Sequence, residues 1–265
     1  MSRVIPKRAP AKINLYLHVH GKRGDGYHIL DSLVVFSDKV ADVITLEKSD
    51  GFSFSLSGPF AAGLQNEDLE KNLAVRALKL FCGATGIAPS FKLHLEKNLP
   101  SGAGLGGGSA DAAAVIKALE DFTGKSMPER DTALLSLGAD VPICYHGKPA
   151  RFEGIGDLIT DTPAPPALPL LLIWTGEHSA TKDVFAGRAG DYRADKAEIP
   201  KSFGTLQQFI DFLNSTGNDL DVASKTLTPE IAQTEALLLK QAGCLLARMS
   251  GSGSAVFGIF QSADD

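Results

Sequence analysis

Cysteine is scarce in this chain. Its three residues, Cys82, Cys144 and Cys244, lie far apart and form no C-x-x-C pair, which excludes a disulfide framework and a cysteine zinc site and suits reduced, small apolar side chains. A basic excess is also missing. Lys and Arg number 26 against 31 Asp and Glu, a formal net charge of -5, which weighs against nucleic acid as a partner. No apolar run is long enough to span a bilayer. The first residues, MSRVIPKRAPAKINLYL, are basic, but Lys12 and Asn14 interrupt their apolar part, so they make a poor signal peptide. Repeats and low-complexity tracts are absent. The expectation is a cytoplasmic protein with no membrane and no nucleic-acid partner. Its 265 residues, 44% of them hydrophobic, suffice for one large or two small domains with a real core. Nothing in the composition speaks to oligomeric state.

Periodicity supplies the elements. INLYLHV (13–19) alternates Ile13, Leu15, Leu17 and Val19 with polar or aromatic residues, the period of a half-buried strand. GKRGDGYH (21–28) is a turn-bearing connection. SLVVF and DVITLE read as two strands, GFSFSLSG as another, and FKLHLEK as a strictly alternating one. NLAVRALKLFCG reads as a helix stopped by Gly83, and SADAAAVIKALEDF as a strong helix with Ser109 or Asp111 in its N-cap region. A short helix around 130–137 leads to LGADVPICYHG. TPAPPALP (162–169) is linker-like, and LLLIW reads as a buried strand. TLQQFIDFL spaces Leu206, Phe209, Ile210 and Leu213 on one helical face. TPEIAQTEALLLKQAG opens on Thr-Pro and closes on Gly243, helix start and stop signals. A last strand and a second glycine–serine cluster, SGSGSAVFGIF, follow. Strands cluster between helices, so the fold class is α+β.

The chemistry concentrates in LPSGAGLGGGSADAAA (99–114), which holds Gly102, Gly104, Gly106, Gly107 and Gly108. Gly102, Gly104 and Gly107 match G-x-G-x-x-G. A dinucleotide site also needs a buried parallel strand before the loop and an acidic residue about 20 residues after it, ending a second strand. Here the preceding strand alternates, and the following residues stay helical. The P-loop pattern fails where Gly108 replaces its lysine. What survives is simpler: a glycine run running into a helix N-terminus, where free N–H groups and the helix dipole attract a phosphate. A plain helix-capping turn is the competing reading, and five glycines in one window are costly for that alone.

Three stretches taken together resemble the signatures of the GHMP kinases, the galactokinase–homoserine kinase–mevalonate kinase superfamily: PAKINLYLHVHGKRGDGYH, the glycine loop, and MSGSGSAVFGIF. The blocks AKINL, DGYH, GLGGGSADAA and LGADVP resemble one branch, which phosphorylates a tertiary hydroxyl of a cytidine diphosphate-linked small molecule in isoprenoid precursor synthesis. The resemblance implies a two-domain α+β kinase, with domains at 1–155 and 156–265 and the active site in the cleft between them. It implies ATP, with Mg²⁺ accompanying it and no dedicated metal ligands. Asp140 would take the proton of the acceptor hydroxyl. Capping of the helix begun by Val141–Pro142 is an alternative role for it. Lys12 would keep Asp140 ionised and neutralise charge.

The other roles follow in the same way. Asn14, on the same strand face as Lys12, would contact the substrate, with Thr181. Tyr27 and His28 would hold the cytosine, with Phe185 as a second stacking surface. Some relatives place a further aromatic where Val34 stands here. ATP would be held by Lys97, Pro100, Gly102, Gly104, Gly106, Gly107, Gly108 and Ser109, with Lys97 and Asn72 near the adenine. His18 and His20 are spaced for a metal on a strand, but no third ligand is evident. Members of the family usually continue past the last glycine cluster with a helix and a strand, whereas this sequence stops at Asp265; the sequence leaves truncation open, and a missing terminal strand would expose a sheet edge. Other small-molecule kinases of the superfamily, such as homoserine kinase, and a nucleotide-binding module without catalysis are the competing functions.

Overall fold

The computed structural model describes residues 4–264. Two compact units form, and they interleave along the chain. The first takes the residues up to Lys12, Phe36–Ser101 and Gly106–Lys148; the second takes Ile13–Val35, Gly102–Leu105 and the chain from Pro149 onward. Two long strands, β1 (Val4–Lys22) and β2 (His28–Lys48), therefore contribute to both units.

In the first unit, β2 runs antiparallel to β4 (Phe91–Glu96), with Ile44 opposite Leu95 and Leu46 opposite Leu93. Strand β3 (Ser53–Ser57) lies parallel on the other side of β4. Alternation puts Ile44, Leu46, Phe91, Leu93 and Leu95 into one core. Helices α1 (Leu73–Thr85), α2 (Gly107–Thr123), α3 (Arg130–Leu137) and α4 (Val141–His146) cover that face and share its core. Helix α2 buries Ala110, Ala112, Ala113, Ala114 and Ala118 as well as Val115, Ile116 and Leu119. Alanines on so many sides let neighbouring elements approach the helix closely and cost no side-chain entropy.

The second unit pairs the first half of β2 antiparallel with β5 (Ala150–Gly154), which pairs with β6 (Leu158–Asp161). A separate antiparallel sheet has the order β7 (Leu170–Trp174), β9 (Ala255–Phe260), β8 (Cys244–Met249). Every residue of the central strand β9 is buried. Helices α5 (Thr181–Gly187), α6 (Leu206–Asn214), α7 (Asp221–Leu227) and α8 (Glu230–Leu239) complete the unit. No helix among the described residues is long and apolar enough to cross a membrane.

Several boundaries differ from the sequence reading. SLVVF and DVITLE are one strand, and the residues between them contain no Gly or Pro; Ser37 Oγ accepts the backbone N–H groups of Lys39 and Val40 within it. Helix α1 runs through Gly83 and stops at Gly86, which takes the left-handed φ of 68°. Helix α2 starts at Gly107 behind Gly106 (φ 64°), so Ser109 and Asp111 lie inside it rather than capping it. LLLIW is an edge strand, with Leu171 and Trp174 exposed. Helix α8 ends at Leu239, before Gly243.

Candidate active site

Lys12 is only 4% exposed on β1. Its Nζ lies 2.8 Å from Asp140 Oδ2, and the Asp140 side chain keeps 35% of its surface. Asp140 occupies the N-cap position of α4, yet its side chain accepts no capping hydrogen bond. The carboxylate goes to Lys12 instead, while Pro142 suits the early helical position that lacks an N–H partner anyway. Gly106 brings the glycine loop to this pair: a Cβ there would stand 3.1 Å from Lys12 Cε. Loop backbone thus runs directly over the lysine stem and then enters α2. No acidic residue stands in the first turn of α2, so its N–H groups and dipole would favour an anion. Cys144 lies beside Gly106, and burial pushes its thiol far up, leaving it an inert apolar group here.

Beneath the loop sits a buried ion cluster. Lys97 Nζ pairs with Asp42 and, at 2.9 Å, with Asp111. Asp42 Oδ1 also accepts the backbone N–H of Leu99 at 2.7 Å and that of Asn98. One carboxylate therefore ties the end of β4 to the start of the glycine stretch. Burial raises the Asp111 carboxyl, against the pull of Lys97. Lys97, Asn72, Ser101, Gly108 and Asp111 line one pocket at the N-terminal ends of α1 and α2. Asn72 caps α1 through its side-chain oxygen. Pro100 is buried beside the loop, while Gly107 and Ser109 are half-buried.

In the second unit, the other end of the glycine stretch is packed backbone to backbone. A Cβ on Gly104 would overlap the Ser250 carbonyl oxygen and stand 2.9 Å from Gly253 N. Ala255 N donates to Ala103 O, and Ser179 N to Gly102 O, at 3.0 and 2.9 Å. A Cβ on Gly102 would run into the His178 ring. Asn14 N donates to Ser250 Oγ, and Ser250 Oγ to Gly104 O, each at 3.1 Å. Ser250 therefore joins all three signature stretches.

Helix α5 carries Thr181 and Phe185 one turn apart. Thr181 Oγ1 lies 2.9 Å from Ser252 Oγ, and the Phe185 ring stacks on His28 with centroids 4.5 Å apart and planes at 22°. Burial, with help from Lys22 and Arg188, lowers the His28 pKa, so the ring is neutral at neutral pH. Tyr27 is 54% exposed beside it. Val34 is fully buried and offers no surface for stacking.

Family models match residues 72–159, as the GHMP kinases N terminal domain, and 197–265, as the GHMP kinases C terminal. A 4-diphosphocytidyl-2-C-methyl-D-erythritol kinase of Paracoccus denitrificans (strain Pd 1222) is 45% identical over 96% of this chain and 86% of its own length. The corresponding enzyme of Cereibacter sphaeroides (strain ATCC 17025 / ATH 2.4.3) is 43% identical over 95% and 88%. The chain is a GHMP kinase. Among solved structures, a 4-(cytidine 5'-diphospho)-2C-methyl-D-erythritol kinase aligns over 98% of this chain and 91% of its own, with TM-score 0.75 and 29% identity. Homoserine kinase from Cytophaga hutchinsonii shares the fold, with TM-score 0.69 and 20% identity over 98% and 86%.

In this GHMP kinase the lysine of a P-loop is replaced by Gly108, and the stem of Lys12 lies against the loop instead. The structure brings Lys12 and Asp140 together beside Gly106. It gathers Lys97, Asn72 and Gly108 at one pocket and His28 and Phe185 into one stack. Gly102 and Gly104 belong to the second unit, apart from Gly106, Gly107, Gly108 and Ser109. Sequence reasoning missed Asp42 and Ser32, which no local pattern marks, and gave Ser250 no role although it lies in the MSGSGSAVFGIF stretch; its partner Asn14 is 236 positions away. It also missed Asp31, which lies with His18 and His20 such that one ligand atom from each falls within 4.8 Å of the others. That carboxylate already accepts from Nε and Nη2 of Arg151, from Tyr16 Oη and from Ala197 N. Asp31 therefore already carries a cationic partner, the Arg151 guanidinium.

Proposed function

We propose that this GHMP kinase transfers the γ-phosphoryl group of ATP to the 2-hydroxyl of 4-diphosphocytidyl-2-C-methyl-D-erythritol, in the non-mevalonate route to isoprenoid precursors. The observation that carries the mechanism is the Lys12–Asp140 pair at 2.8 Å, set against Gly106 at the mouth of α2. Asp140 accepts the proton of the acceptor hydroxyl as its oxygen bonds to the γ-phosphorus. The bond from that phosphorus to the bridging oxygen breaks, and ADP leaves with its electron pair. Lys12 keeps Asp140 ionised and offsets negative charge on the transferring group. The first N–H groups of α2, at Gly107, Gly108 and Ser109, hold phosphate oxygens. Gly102, Gly104 and Pro100 shape the approach to them, and Lys97 and Asn72 stand toward the adenine. Mg²⁺ bound to the phosphates would add further charge neutralisation; phosphate oxygens and water suit it better than a protein cage, since the loop presents backbone rather than carboxylates.

Tyr27, His28 and Phe185 supply an aromatic face and a neutral imidazole for the cytosine, and Asn14 and Thr181 contact the rest of the acceptor. The division near residue 155, with the phosphate loop and catalytic pair in the N-terminal part, rests on the resemblance; the N-terminal family-model span, 72–159, holds the loop and Asp140 but begins after Lys12. Three free cysteines suit a cytoplasmic enzyme. The deciding experiment measures ADP release with ATP and four acceptors: the diphosphocytidyl methylerythritol, homoserine, mevalonate and galactose. Turnover with the first is expected. Turnover confined to one of the others overturns the assignment.

A further inference from the structure

Asn14 is fully enclosed, and its amide has one oxygen and one NH₂ group to place. The NH₂ reaches Ser32 Oγ at 2.8 Å. Ser32 is itself buried, and its hydroxyl donates to the carbonyl oxygen of Tyr16. A hydroxyl has a single proton. With that proton committed, Ser32 Oγ meets Asn14 only with lone pairs, so it holds the NH₂ edge and repels the carbonyl edge. Only one of the two amide orientations is compatible with this network. The backbone N–H of Asn14 is fixed as well, by Ser250 Oγ. What remains is Asn14 Oδ1, buried and without a hydrogen-bond partner. It lies beside Gly251, where a Cβ would stand 3.2 Å from it.

We infer that Ser32 is a positioning residue that locks the Asn14 amide with its oxygen free, so that this point of the site accepts a hydrogen bond and selects a hydroxyl on the phosphoryl acceptor. A carboxylate or phosphate oxygen placed there would set acceptor against acceptor in a buried spot, an arrangement with no compensation. The phosphoryl acceptor therefore presents a hydrogen-bond donor at this point, a hydroxyl in the proposed substrate. The inference rests on the reading of Asn14 as a substrate contact.

Steady-state kinetics of the full chain with varied ATP and varied diphosphocytidyl methylerythritol test it. Ser32→Ala should raise the acceptor KM at least about tenfold, because a freed amide no longer presents its oxygen, and should leave the ATP KM within about twofold. Ser32→Thr, which keeps the hydroxyl, should restore the acceptor KM. Ser32→Val against Ser32→Thr gives the same contrast at equal shape if the alanine variant does not fold. A purely structural serine would lower stability and leave the acceptor KM unchanged, and that result overturns the inference, as does an equal rise in both KM values. Asn14→Ala separates the two readings. An unchanged acceptor KM in Asn14→Ala removes the substrate contact itself. A raised KM there with normal values in Ser32→Ala and Ser32→Val removes only the positioning role.

Discussion

The glycine stretch and the later glycine–serine cluster look alike in composition and use glycine for opposite ends. At Gly108 the absent side chain leaves a helix N-terminus open: a Cβ there would meet only Leu73 Cδ1, at 3.5 Å. At Gly104 and Gly251 the space beside the glycine is filled by backbone from the other segment, and at Gly253 by the Met249 and Ile231 side chains. A Cβ on Gly251 would lie 3.0 Å from Gly104 O, and one on Gly253 would press on Met249 Sδ. Glycine density alone therefore does not mark a ligand site. The distinction is whether the space beside the glycine is empty or already occupied.

The largest test removes the chemistry from the open end. Asp140→Asn keeps the shape of the carboxyl but cannot take the hydroxyl proton. We expect kcat to fall about 10³-fold while ADP binding, read by calorimetry, stays within about twofold. Full turnover would leave Asp140 without a chemical role. Next come two alanine substitutions that should diverge. Gly104→Ala combines a left-handed φ of 74° with overlap on Ser250, and urea unfolding should show a loss of about 2–4 kcal/mol. Gly108→Ala sits in the open first turn of a helix and should gain about 0.5–1 kcal/mol, yet its methyl group crowds the phosphate site and should raise the ATP KM several-fold. Equal stability losses in both variants would erase the contrast between the two glycine segments.

The smallest effect concerns pH. Asp111, under the open end, has its carboxyl raised by burial. A raised carboxyl binds its proton more tightly in the folded state than in the unfolded one. Its contribution favours folding at low pH and is lost as pH climbs from about 4 toward neutrality. Asp111→Asn should flatten that slope, so its stability relative to the parent should be greater at pH 8 than at pH 5 in urea titrations. Parallel pH curves for the two proteins would exclude this.

Much of this was legible in the residues. Strict alternation announced β4, whose Phe91, Leu93 and Leu95 all face the core, and the alanine run announced α2. Lys12 and Asp140 were singled out by resemblance; periodicity could not join residues 128 positions apart. The failures were local conflicts settled by tertiary structure. Gly83 signalled a helix end, but the flanking Phe81 and Cys82 are buried and hold the helix in place until Gly86 provides a left-handed stop. Asp111 looked like a cap and is a buried partner of Lys97, a role that depends on Asp42 from another strand. Ser32 looked like any strand serine, because its importance lies in where its one proton points.

The packed end of the glycine stretch has a consequence for synthesis. Gly104 receives its hydrogen bond from Ser250, 146 positions later, and Ala103 receives one from Ala255. While the chain is still emerging from the ribosome, the stretch at 102–104 has none of these partners. It acquires them only when residues 250–255 are made, so competence for catalysis should wait for that segment, however early the helices of the first unit have formed.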